Sequence, residues 1–164
     1  MSTDGLDLLT ADHLQLRRLF TQQACVEPGE RAHSRVVGRI VRLITVHTFI
    51  EDEVLYPRVR RTVPHLAVGT SRAHQEHRVV NLLCVELCAP PEHVSPGATA
   101  QMLASVMTRH MVAEETVWFP QVREGLSTAQ LSELGVLMIE ARRHAPTAPS
   151  AATPFKRIAD PVFG

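Results

Sequence analysis

Apolar residues recur at helical spacing along most of this chain. Four segments carry such a stripe, and Pro or Gly residues separate them: residues 6–24, about 31–60, about 70–89 and about 98–123. The fourth stripe runs through Met102, His110 and Val117. Ser127 then supplies an N-cap for a shorter fifth helix. Because short loops join long amphipathic segments, the pattern predicts an all-α fold, an antiparallel four-helix bundle with a short fifth helix.

The last part of the chain has a different composition. Residues 144–164 are rich in Ala and Pro, and a segment of this kind carries no regular apolar stripe. We therefore expect a bundle domain over residues 1–143 and an irregular C-terminal tail over residues 144–164.

The second and fourth segments contain two copies of one motif. Residues 47–60, HTFIEDEVLYPRVR, align with residues 110–123, HMVAEETVWFPQVR, and six of the aligned positions are identical. These identical positions include His47 with His110 and Glu51 with Glu114. The repeat indicates that the chain consists of two related halves.

The first and third segments match more weakly, through an acidic residue followed by His at 12–13 and at 76–77. The spacing to the His of the following motif is 34 residues in one half and 33 in the other, from His13 to His47 and from His77 to His110. This spacing predicts two helical hairpins related by a pseudo-two-fold axis. Each hairpin supplies one His from its first helix and a His-x3-Glu from its second.

The repeated His and Glu are four residues apart, so each pair projects from one face of its helix. That face is otherwise apolar and is expected to point inward, where unpartnered charges are costly. Metal ions shared by the carboxylates remove this cost, and mixed nitrogen and oxygen donors favour iron first, manganese second and zinc third. A single His-x3-Glu is usually a surface pair. Two inward copies, each with a matched partner His, instead predict a dinuclear metal site.

Composition excludes several other classes of protein. The 164 residues include 17 basic and 17 acidic side chains, without the excess positive charge of a general nucleic-acid binder. No apolar run is long enough for a membrane span, and the first residues do not resemble an export signal. Three cysteines do not make a disulfide framework. We expect a cytoplasmic protein without nucleic-acid or membrane partners, and composition leaves its oligomeric state open.

Together the motifs resemble the hemerythrin family in its bacterial HHE branch. The resemblance covers about residues 6–143 and rests on DH at 12–13, H-x3-E-D-x-x-L-Y-P at 47–57, EH at 76–77 and H-x3-E-E-x-x-W-F-P at 110–120. It implies a four-helix bundle around two non-haem iron ions with an oxo or hydroxo bridge. It also implies that Glu51 and Glu114 bridge the irons. The remaining ligands would form two pairs, His13 with His47 on an iron open to a small ligand, and His77 with His110 on the other.

His74 is a candidate fifth imidazole ligand. It lies three residues before His77 and can share its helix face. Oxygen-carrying hemerythrins have two histidines on this helix, but spaced by four, and their last carboxylate is an Asp one residue further on. This chain departs at both points, which counts against simple O2 transport. For His74, the alternative to a metal ligand is a position outside the metal coordination.

Tyr56 is the only tyrosine and aligns with Phe119, so one interpretation is an aromatic core residue. On a regular helix it points roughly 180° away from His47. It also precedes Pro57, and proline disfavours helical geometry at the residue before it. Local unwinding there would turn the hydroxyl toward the metal site. The second interpretation is therefore that Tyr56 is catalytic.

The resemblance implies redox chemistry on O2, H2O2 or NO, and some bacterial members of the family decompose hydrogen peroxide. We therefore predict an oxidoreductase that consumes peroxide, either catalase-like or linked to NO. The alternative is a module that binds or senses O2, NO or iron without turnover.

Overall fold

The computed structural model describes residues 4–150. Its helices are α1 (Gly5–Ala24), α2 (Arg31–Ile50), α3 (Tyr56–Thr62), α4 (Ala67–Cys88), α5 (Pro96–Ala113), α6 (Phe119–Gly125) and α7 (Thr128–His144). α3 continues α2, and α6 continues α5, so the chain has four long helical rods followed by a shorter one. No strand occurs within the described residues. The predicted all-α fold with four long helices and a short fifth helix is confirmed.

The four long rods pack around a closed ring. α1 packs against α2 and α5, and α4 packs against α5 and α2. α7 lies against α1 and α2 outside this ring. Short loops make consecutive rods antiparallel, so the two hairpins that the repeat predicts lie side by side.

Side-chain caps fix several helix starts. The Asp4 carboxylate accepts a hydrogen bond of 2.7 Å from the backbone N–H of Leu6. Ser127 and Gln130 form a capping box at the start of α7, which confirms the predicted N-cap. Each cap satisfies backbone donors that the first turn of a helix leaves unpaired.

Two π-helical turns, Glu51–Leu55 and Glu114–Trp118, interrupt the second and fourth rods. The backbone N–H after each turn bonds to the carbonyl five residues earlier, from Tyr56 to Glu51 and from Phe119 to Glu114. Proline is the second residue after the turn in both copies. In a regular helix its ring clashes with the carbonyl four residues earlier, and the wider turn relieves this clash by inserting one extra residue.

The extra residue rotates the side chains that follow it by about 100° around the helix axis. Val117, predicted on the inward stripe with His110, is therefore 57% exposed, whereas Trp118 and Phe119 are buried. Met102 is exposed as well. The predicted stripe is wrong at Met102, which lies about 80° around the helix axis from His110. It is also wrong at Val117, where it assumed an unbroken α-helix.

Two apolar layers fill the bundle. Between them lies a band of buried polar side chains, the polar belt, to which His13 belongs. On α1, Leu6 and Leu9 belong to one layer and Leu16 and Leu19 to the other. His13 lies between them and is fully buried. The rods are therefore held together above and below the belt by apolar packing, so the belt is free to carry polar groups.

α7 ends at His144, and residues 145–150 form no helix. Residues 151–164 of the predicted tail lie outside the described residues, so the domain boundary at residue 143 stays a prediction. No helix within residues 4–150 combines the length and the apolar character that crossing a bilayer requires.

Candidate metal centre

Six of the predicted metal ligands meet in the polar belt. Each of the four rods contributes one imidazole, and each π-helical turn begins with one carboxylate: His13, His47, His77, His110, Glu51 and Glu114. All six side chains are at most 5% exposed. Such burial keeps bulk water away from the cluster.

The four imidazoles form two matched pairs. The Nε2 atoms of His13 and His47 are 3.2 Å apart, and so are those of His77 and His110. The ring planes cross at 65° in the first pair and at 64° in the second. The two halves of the repeat therefore place their imidazoles in the same geometry.

Each central carboxylate contacts imidazoles from both pairs, and Glu51 Oε2 lies within 3.7 Å of both members of the second pair. Glu51 Oε2 is 3.3 Å from His47 Nε2 and 3.2 Å from His77 Nε2, and Glu114 Oε2 is 3.4 Å from the Nε2 atoms of both His13 and His110. These distances suit ion pairs, but the groups are not aligned for hydrogen bonding. Both oxygens of Glu51 and Oε2 of Glu114 have no hydrogen-bond partner within residues 4–150.

This donor set fits a pair of metal ions. Buried carboxylate oxygens without hydrogen bonds are costly, and a cation between the carboxylates and the imidazoles removes that cost. The ligand atoms fall into two groups, each within 4.8 Å: His13, His47, Glu51 and Glu114, and Glu51, His77 and His110. Glu51 belongs to both groups, as a bridging carboxylate would. Imidazole nitrogen and carboxylate oxygen together suit iron, manganese or zinc.

Four further carboxylates hold the imidazoles from outside. Each faces one Nδ1 atom: Glu115 at 2.8 Å from His13, Asp12 at 3.4 Å from His47, Asp52 at 3.1 Å from His77 and Glu76 at 2.9 Å from His110. An imidazole that donates its Nδ1 proton to a carboxylate keeps the Nε2 lone pair available. These contacts therefore favour the tautomer in which all four Nε2 atoms can bind a metal at the centre.

The supporting carboxylates follow a rule across the repeat. Asp12 and Glu76, which precede the His of α1 and α4, each support the second His of their own half. Asp52 and Glu115, which follow the repeated Glu, each support the first His of the opposite half. Residue spacing along the sequence does not predict these four contacts. The available signal was that both copies of the motif carry an acid at the position after the Glu.

The protein groups by themselves hold protons on His77 and His110. Burial lowers the pKa of His77, but the Asp52 and Glu51 carboxylates outweigh this effect and raise the pKa to about 9. The pKa of His110 is also raised well above its usual value, because Glu114 and Glu51 outweigh burial there. Since a protonated imidazole cannot coordinate, protons and metal compete for this site.

Tyr56 is buried beside His77. Its hydroxyl donates a 3.0 Å hydrogen bond to Glu114 Oε1 and lies 3.4 Å from His77 Nε2. The backbone at Tyr56 is helical, with φ −64° and ψ −40°, so the predicted unwinding before Pro57 is wrong, and the π-helical turn supplies the rotation instead. Burial, with the charges of Glu114 and Glu51, raises the pKa of Tyr56 well above its usual value. The phenol is therefore neutral.

The aromatic residues break the symmetry of the two halves. Tyr56 stacks on His77 with 5.5 Å between ring centroids, and its repeat partner Phe119 stacks on His13 with 5.8 Å. Because Phe119 has no hydroxyl, only one side of the cluster gains a proton donor from this position.

His74 lies outside both groups of potential ligands. Its side chain is 27% exposed, and its Nδ1 is 2.9 Å from Asp52 Oδ1, the same oxygen that contacts His77. The structure thus brings His74 to the layer of supporting carboxylates. As a direct metal ligand it stays a prediction.

Comparison with known proteins agrees with this arrangement. A family model described as the hemerythrin HHE cation-binding domain matches residues 4–122. The chain belongs to this family. All six central residues of the HHE domain, and the four carboxylates that support its imidazoles, lie within the matched range.

Individual relatives of the HHE domain are more distant. A solved structure of a hemerythrin HHE cation-binding domain-containing protein from Mycobacterium kansasii has a TM-score of 0.71 and 22% identity, covering 87% of this chain and 86% of that one. At this identity it supports the fold alone. A DNA nickase from a Nostoc species is 29% identical over 132 residues, which cover 77% of this chain and 36% of the nickase. The chain thus spans about a third of that relative's length.

Proposed function

We propose that this HHE domain holds two iron ions and consumes hydrogen peroxide. The observation that carries the proposal is that each buried central carboxylate contacts imidazoles from both pairs. In this assignment His13 and His47 would hold one iron and His77 and His110 the other, and both irons would share Glu51 and Glu114. Iron suits this mixture of nitrogen and oxygen donors best.

The overall reaction proposed is catalase-like. Two molecules of hydrogen peroxide give one O2 and two molecules of water, so that one peroxide is oxidised and the other reduced. When bound, an iron pair would supply Lewis acidity and would relay the two electrons from the peroxide that is oxidised to the one that is reduced. The protein selects for size, because ligand side chains that are at most 5% exposed favour a substrate as small as peroxide.

Tyr56 is the residue we propose for proton transfer. Its hydroxyl is neutral, buried and held 3.0 Å from Glu114 Oε1. A phenol in this position can give its proton to a departing oxygen and recover one from the next peroxide, with Glu114 orienting it. The opposite side of the cluster has only Phe119 at this position, so the proposal places proton transfer near His77.

The partners proposed are small molecules, with H2O2 first and O2 or NO as alternatives. This chain covers 36% of the Nostoc nickase. It also has equal numbers of basic and acidic residues, 17 of each, so we propose no DNA substrate. We propose a cytoplasmic location, where the thiols of Cys25, Cys84 and Cys88 stay free.

The test is iron content and peroxide turnover on one native preparation. We expect two irons per chain and many molecules of O2 evolved per protein. Glu51→Gln should lose iron and turnover together, whereas Glu53→Gln should keep both, because Glu53 is exposed in the same π-helical turn. Manganese or zinc in place of iron contradicts the assignment. Spectra that cycle reversibly with O2 or NO, without turnover, support a binding module instead.

A further inference from the structure

Each carboxylate that supports an imidazole is paired with a group further from the centre. For three of them that group is an arginine: Arg17 donates to Glu115 at 3.0 and 2.8 Å, Arg142 to Asp12 at 2.6 Å and Arg72 to Glu76 at 3.2 Å. The fourth, Asp52, is paired with His74 at 2.9 Å. Three supporting carboxylates therefore face a guanidinium, and one faces an imidazole.

Asp52, the carboxylate that is paired with a histidine, lies on the same side of the cluster as Tyr56. Asp52 Oδ1 contacts the Nδ1 atoms of both His74 and His77. His77 is in turn the imidazole on which Tyr56 stacks. The carboxylate that supports His77 is thus paired with a histidine, whereas the carboxylates that support the other three imidazoles are paired with arginines.

A guanidinium and an imidazole act differently on a carboxylate. A guanidinium is positively charged at every pH at which proteins fold, and it draws carboxylate charge toward itself. An imidazole can donate the same hydrogen bond in its neutral form. A carboxylate that keeps more of its charge makes the imidazole it supports a better donor to a metal.

We propose that His74 is a positioning residue, which orients Asp52 without neutralising it and so makes His77 the strongest nitrogen donor of the four. This inference rests on the proposed iron pair. It gives His74 a role other than metal ligand. Its consequence is that the iron held by His77 favours the oxidised state more than the other iron does.

The experiment compares iron content and midpoint potential in the wild type, His74→Arg and His74→Gln. Arginine at this position supplies the cation that the other three carboxylates already have, so the potential should rise. Outer contacts typically change metal affinity about 10- to 100-fold. A tenfold change confined to one oxidation state corresponds to about 59 mV for one electron. Glutamine is a neutral donor and should leave the potential near that of the wild type. His65→Gln, at an exposed histidine in the turn before α4, is the control.

Both His74 variants are expected to keep two irons per chain. Loss of one iron from both would make His74 a ligand and overturn the inference, as would an unchanged potential in folded His74→Arg. If the arginine variant does not fold, His74→Lys supplies the cation from the same partly exposed position and must raise the potential. A wild type with fewer than two irons contradicts the proposed function itself, and this result is obtained before any variant is compared.

Discussion

Tyr56 donates a hydrogen bond to Glu114 across the bundle, with 3.0 Å between the hydroxyl oxygen and Oε1. The bond joins the two copies of the repeated motif, because Tyr56 belongs to the first copy and Glu114 to the second. It has no equivalent at Phe119, which stacks on His13 without a hydroxyl. Chemistry that needs this hydroxyl is therefore confined to one side of the cluster.

Tyr56→Phe should separate metal binding from turnover. Phe119 occupies the equivalent position in the other half, so we expect the variant to fold and to keep its iron. Loss of a proton donor should lower peroxide turnover about 100-fold or more. Oxygen evolution measures this change, and unchanged turnover contradicts a role in proton transfer. An absorption band from phenolate to iron that disappears in the variant would instead make Tyr56 a ligand.

Glu76→Gln should weaken iron binding without removing any ligand. Glu76 Oε2 is 2.9 Å from His110 Nδ1, and loss of the charge makes that imidazole a poorer donor. We expect iron affinity to fall about 10- to 100-fold, measured by competition with a chelator. Glu133→Gln is the matched control, because Glu133 is half exposed and pairs with Arg58 away from the cluster. Equal affinities in the two variants would contradict the supporting role of Glu76.

The metal-free protein should become less stable as pH rises. The pKa of His77 is raised from 6.5 to about 9 on folding, so the folded state binds this proton more tightly than the unfolded state. The resulting stabilisation is fully present below about pH 6.5 and is lost as pH rises through about 9. At 1.36 kcal/mol per pKa unit, this stabilisation of the folded state is about 3 kcal/mol. Denaturant unfolding of the wild type and His77→Gln measures it, and equal pH profiles for the two proteins contradict the prediction.

Iron binding should show the opposite pH dependence. Metal and protons compete for the same imidazole nitrogens, so acid favours the protonated, metal-free form. We expect iron to be released on dialysis at about pH 5, below the usual pKa of histidine. Full retention of iron through repeated exchanges at this pH would contradict coordination by four imidazoles.

Gly69→Ala should destabilise the protein near Tyr56. A Cβ at this position of α4 would lie 2.8 Å from Trp118 Nε1, and Trp118 contacts the edge of Tyr56. Overpacking of this kind costs about 1–3 kcal/mol. Gly38→Ala on α2 has no neighbour within 4 Å and should instead stabilise the fold by about 0.5–1 kcal/mol. Denaturant unfolding checks both, and equal effects contradict tight packing at Gly69.

The sequence by itself determined the helices and the residues that occupy the polar belt. Helical periodicity predicts the rods, and the duplicated His-x3-Glu marks Glu51 and Glu114 as carboxylates within an apolar stripe. Both signals are local, because residues four apart share a helix face whatever the rest of the chain does. Two prolines also follow the motif in the sequence, but only the structure shows that a π-helical turn, and not unwinding, turns Tyr56 inward.

The tertiary structure alone decided the outer contacts of the cluster. His13 and Glu115 are 102 residues apart, and Asp12 and Arg142 are 130 apart. Whether such groups meet depends on how whole helices pack and rotate against each other, which local periodicity does not encode. The same holds for His74: its spacing from His77 is compatible with a shared helix face, and the packing of α4 against the second rod brings it to Asp52.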